Sequence, residues 1–134
     1  MTDRTFGPGP HTLLVDGRPE APVAVAETSA TRRKGLLGTD RVVGALWITR
    51  CPSVHMLGMR YPIDVAVVDR DGLVLLVKTI KPWTGGTWFR RGASATVESA
   101  AGTLGQWGVT VGSRLEVDRA GVDRTGVSPA GAGS

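Results

Sequence analysis

Short apolar runs, most of them alternating or β-branched, recur along the whole chain, and each is closed by glycine, proline or an acidic turn residue. Thr12 to Asp16 (Thr-Leu-Leu-Val-Asp) before Gly17 reads as a strand and turn. Residues 21–27 alternate around Pro-Val-Ala-Val-Ala, the period of a strand with one buried face. Thr28 or Ser29 offers a side-chain oxygen to the free amides of a helix start. A short helix is predicted over residues 30–37, weakened by Gly35 and ended by Gly38. Residues 42–49 (Val-Val-Gly-Ala-Leu-Trp-Ile-Thr) read as one strand, with Trp47 its largest buried surface.

The centre of the chain runs from Arg50 to Gly72. Ile63 to Val68 is apolar at nearly every position, so both faces are expected to be covered. Asp69-Arg-Asp-Gly72 carries the residues that tolerate the positive φ of tight hairpins, and Leu73 to Ile80 forms the return strand. Pro82 and the paired glycines 85 and 86 make residues 81–92 a loop. A strand over 93–98, one or two helical turns within 99–106 and a last strand over 113–118 complete the pattern. This is an α+β chain, mainly antiparallel, with a barrel-like or sandwich sheet and two short helices. Residues 1–11 are read as a flexible lead, 12–118 as a single globular domain and 119–134 as a disordered small-residue tail.

Composition narrows the class. At 134 residues and 41% apolar content the chain suffices for one modest core, and 19 glycines with 8 prolines favour turns over long helices. The single cysteine cannot form an internal disulfide. There is no basic region followed by an apolar run at the amino terminus, and no apolar stretch approaches the roughly 20 residues that span a bilayer. The chain is accordingly expected to be cytoplasmic, without membrane contact. The net charge of +4 is carried by arginine-rich spots at 32–34 and 90–91, too far apart to make the continuous stripe of a nucleic-acid surface, so nucleic acid is not an expected partner.

Across residues 22–117 the chain resembles the domain of unknown function 192 family, small bacterial and archaeal proteins. The resemblance rests on Ala26-Glu-Thr28 with Arg33 and Gly35-Leu-Leu37. It continues through Cys51, Ser53-Val-His55, Met59, Pro62-Ile-Asp-Val65, Asp69 and Gly72. It ends on Pro82-Trp83, Glu98, Ala101-Gly102 and Gly112. Many relatives carry a Trp-Met-Lys-Asn-Thr type of run where this chain has His55-Met-Leu-Gly-Met59. The resemblance implies a compact β-rich α+β domain and no established reaction.

Three constellations carry chemistry. Cys51 and His55 could pair as nucleophile and base, but on a strand they lie about 13 Å apart at ~3.3 Å per residue, and Pro52 opposes a helix. Cys51, His55, Met56 and Met59 together are soft ligands of the kind that take Cu(I), whereas methionine more often fills core gaps. Asp64 interrupts an apolar strand and needs either an internal partner or a cleft. The cleft reading places it beside His55, Arg60, the Pro82-Trp83 loop and Glu98, with Trp83 and Trp88 available for stacking. The expected function is a non-catalytic binding or accessory domain that recognises a small polar ligand or protein partner through His55, Met59, Arg60, Asp64, Trp83 and Glu98. Soft-metal handling is the alternative and hydrolysis the third reading. No cofactor is expected.

Overall fold

The structure, a computed structural model, describes residues 3–51, 59–83, 86 and 91–120. Among these the elements follow in the order β1 (Thr5–Phe6), β2 (His11–Val15), β3 (Arg18–Ala26), α1 (Ser29–Lys34), β4 (Arg41–Val42), β5 (Ala45–Ile48), β6 (Ile63–Val68), β7 (Val74–Ile80), β8 (Ala95–Ala100), α2 (Thr103–Gln106) and β9 (Leu115–Asp118). Seven strands make one sheet in the order β7-β6-β8-β5-β3-β2-β9, and β1 pairs with β4 beside it. All pairs of the large sheet are antiparallel except β3 with β5, which run parallel because α1 carries the chain back between them.

The sheet curls until its two edges touch. Val74 N–H donates to the Ser113 carbonyl (2.8 Å), Gly112 N–H to Val74 (2.9 Å) and Leu115 N–H to Gly72 (2.8 Å). The tip of the β6–β7 hairpin is thereby sewn to the start of β9. Leu13, Val15, Val23, Ala66, Val68, Val97 and Leu115 fill the inside of the curl, and Leu104 of α2 plugs it from one end. The outer face of β5, β6 and β8 carries a second layer, made of Leu46, Ile48, Ile63, Val65 and Val67 under Leu36 and Met59. Both sides of β6 are thus covered, and all six of its residues are buried.

The hairpin expected over 63–80 is present. Asp69 Oδ1 accepts from the amides of Asp71 and Leu73, both at 2.9 Å, and so fixes the turn. The expected strand over 42–49 is instead two, broken at Val43-Gly44. Gly44 has φ 75°, and a Cβ there would stand 2.2 Å from the Pro22 carbonyl oxygen, so the chain needs glycine to pass β3 at this distance. Helix α1 stops at Lys34 with Gly35 as its cap, earlier than the expected end at Gly38. Thr5–Phe6, within the segment read as flexible, pair in parallel with Arg41–Val42. Trp47 is only half-buried, because its side of β5 faces the open end of the curl.

Candidate functional site

Glu98 is the least ordinary residue of the outer layer. It sits mid-strand in β8, paired with Leu46 on one side and Val65 on the other, and is 5% exposed. Among the described residues no hydrogen bond or ion pair reaches its carboxyl group. Removal from water penalises the charged form, and burial pushes its pKa up to about 7. A carboxyl in this state can accept a hydrogen bond as the anion or donate one as the acid.

The roof over Glu98 is α1 and the turn after it. Thr28 caps the helix reciprocally with Thr31, each side-chain oxygen accepting the other's amide at 3.1 Å. Arg32 ties the helix to the end of β5, donating from Nε to the Thr49 carbonyl (2.7 Å) and from Nη2 to the Arg50 carbonyl (2.8 Å). No residue of α1 is buried, so these bonds and the buried Leu36 hold it down. Gly35, at φ 50°, lies over the carboxyl: a Cβ at that position would be 3.6 Å from Glu98 Oε1 and 3.7 Å from Ile48 Cδ1. Two cavities flank the helix, and Gly35 lines the first. A cavity of about 300 Å³ between Phe6, Ala24, Lys34, Gly35 and Leu46 opens on one flank. One of about 270 Å³ between Ser29, Arg33, Ile48 and Cys51 opens on the other.

The neighbouring segment continues the wall. Met59 is buried in the outer layer. Tyr61 OH and Thr39 Oγ1 share a hydrogen bond of 2.8 Å, and burial raises the tyrosine pKa. Arg60 forms an ion pair with Asp40 at 2.9 Å. The Asp40 carboxyl is held below its ordinary pKa first by the Arg4 amide and then by Arg60.

Of the residues expected to form one ligand face, the structure sets Met59 and Glu98 in the outer layer, with Arg60 beside Met59 on the Asp40 side. Asp64 is elsewhere. It pairs with Ser99, one residue along β8 from Glu98, and therefore points to the inside of the curl. Its oxygens are fully engaged: Oδ1 accepts from Thr79 Oγ1 (2.6 Å), and Oδ2 from the amides of Gly102 (2.9 Å) and Leu104 (3.2 Å). It serves as the missing cap of α2, whose own N-cap position is Gly102. Trp83 is 65% exposed, with φ 67°, in the loop after β7. His55, Met56 and Trp88 lie outside the described residues. Cys51, at the edge of the outer layer, and the buried Met59 are the described members of the soft-ligand set. No group of three or more His, Cys, Asp or Glu is gathered for a metal among the described residues. For Arg33 and Gly35 the sequence offers only one signal, their position two residues apart at the end of a capped helix.

Comparison with known proteins identifies the family and the fold. The family model of domain of unknown function 192, described as Uncharacterized ACR, matches residues 12–117. A crystal structure of a protein of unknown function from Novosphingobium aromaticivorans DSM 12444 shares the fold with TM-score 0.69 and 22% identity, over 78% of this chain and 83% of that one. A candidate transcription regulator from Sinorhizobium meliloti 1021 superposes with TM-score 0.67 and 21% identity, over 80% of this chain and 92% of that one. No curated protein matches. No helix among the described residues is long and apolar enough to cross a membrane.

Proposed function

The chain belongs to the domain of unknown function 192 family, and from that premise we propose that it is a non-catalytic binding domain that receives a small polar ligand at the α1 face, with Glu98 as the recognising group. The observation that carries this reading is the buried Glu98 carboxyl, which no hydrogen bond or ion pair reaches among the described residues, lying beneath Gly35, a wall residue of one of the two cavities beside α1. A stability-driven sequence would place an apolar residue there, since an unpaired buried carboxyl costs free energy. A ligand that supplies the missing hydrogen bond removes that cost on binding. Arg32, Arg33 and Lys34 make the surroundings positive, which disfavours a cationic ligand and suits a neutral one with hydroxyl or carboxamide groups.

The test is a titration of the protein by amide-correlation NMR with three neutral probes, acetamide, urea and glucose. Shifts confined to residues 31–36, 46–48 and 96–98, and lost in Glu98→Gln, are expected for at least one probe. Silence of that face toward all three at tens of millimolar, or shifts unaltered by Glu98→Gln, would overturn the proposal.

A further inference from the structure

The inside of the curl is closed at one end and open at the other. At the closed end α2 inserts Leu104, and Val109 follows it into the core. At the other end Trp47 of β5 and Val25 of β3 are direct partners in the parallel pair. A cleft of about 340 Å³ remains between these two residues, the hairpin tip at Arg70 to Gly72, and Leu115, Val117 and Arg119 of the last strand and its exit. An aromatic side chain placed inside a sheet normally contributes by being covered, and Trp47 is left half-covered beside an empty space of small-ligand size.

The rim of the cleft has a particular chemistry. Arg70 has no ion pair among the described residues, while the Arg119 guanidinium is held by Glu27. Asp71 and Glu116 also line it, so hydrogen-bond donors and acceptors stand around one flat aromatic wall. The charges nearly cancel, which argues against a simple anion or cation. A planar ring whose edge offers acceptors on one side and donors on the other satisfies both kinds of group while stacking on the indole. Purines of the guanine type have this pattern: O6 and N7 accept from a guanidinium, and the N1 and N2 hydrogens donate to a carboxylate.

We propose that the open mouth of the curled sheet is a second binding site, for a free purine of the guanine type, with Trp47 stacking on the ring and Arg70 reading its acceptor edge. A free base or nucleotide is specified, not a nucleic-acid chain, because the rim has no excess positive charge to hold a phosphate backbone. This site is separated from Glu98 by the thickness of the sheet, since Trp47 and Glu98 belong to opposite faces.

The experiment is an NMR titration with guanosine monophosphate, set against ribose 5-phosphate, which carries the same anionic group without the ring. Guanosine monophosphate is expected to shift Val25, the Trp47 indole N–H and residues 115–117, with ribose 5-phosphate leaving them unmoved. Arg70→Ala lies on an exposed turn and should weaken binding about tenfold, the loss that follows from one charged hydrogen-bonding group. Trp47→Phe should retain weaker binding, and residues 31–36 should not shift with guanosine monophosphate, which separates this site from the α1 face. Equal shifts from both probes, no shifts at the mouth at millimolar concentration, or wild-type affinity in Arg70→Ala would overturn the proposal.

Discussion

Glu98 couples the stability of the domain to pH through a single group. Its pKa rises from an ordinary 4.5 to about 7 in the folded chain, so between those values the folded state holds a proton that the unfolded state has released. Stability is then highest below the unfolded value and falls as pH rises through the folded one. The displacement corresponds to about 3 kcal/mol at roughly 1.4 kcal/mol per unit. Urea denaturation between pH 5 and pH 8 should show this decline in the wild type and lose most of it in Glu98→Gln; equal slopes in the two proteins would remove Glu98 as the cause. Trp47 poses a different question of magnitude. A fully buried tryptophan costs about 3–5 kcal/mol when cut to alanine, but this ring is half-covered, so about 2 kcal/mol is expected in the same denaturation assay.

The two acidic residues of the central strands show what a single element can and cannot reveal. Asp64 and Glu98 both interrupt apolar runs, and each strand taken alone invites the idea of a shared cleft. Their faces are decided by register: Asp64 stands opposite Ser99, so Glu98 opposite Val65 points the other way. The hairpin of β6 and β7 was legible because its turn residues and both arms are contiguous. The parallel pairing of β3 with β5 and the break at Gly44 were not, since both depend on where Pro22 passes in space. Asp64 itself belongs to α2 as much as to β6. Its carboxylate accepts three hydrogen bonds, whereas an asparagine offers one oxygen and would turn its amino group toward a donor. Asp64→Asn should therefore destabilise by about 1–3 kcal/mol. Amide exchange should locate the loss at residues 102–106 if α2 is what it holds, and an unchanged exchange rate there would argue against the capping role.

At the scale of the molecule, closure of the curl hangs on Gly72. This residue turns the hairpin with φ 85° and accepts the Leu115 amide, while a Cβ would meet the Leu115 carbonyl oxygen at 2.2 Å. Gly72→Ala cannot keep both the turn and the seam, and a loss of at least about 2 kcal/mol is expected from backbone strain and the broken contact. Faster exchange of the Val74 and Leu115 amides would show that the seam has opened; protection equal to that of the wild type would show that it has not. The overall β-rich α+β architecture was readable from the alternation of apolar positions, but the seam was not, because it joins backbone groups about forty residues apart without any side-chain pattern.

The pairing of β2 with β9 brings Thr12 opposite Asp118, with Leu13, Leu14 and Val15 placed between two strands drawn from distant parts of the sequence. Vectorial synthesis on the ribosome presents β2 about a hundred residues before β9. Until β9 follows, the nascent chain carries an apolar strand with one bare backbone edge, and the seam that shuts the curl waits for the same residues. Closure of the sheet is consequently a late event in the emergence of this domain, and a nascent chain stalled before Leu115 keeps that edge open.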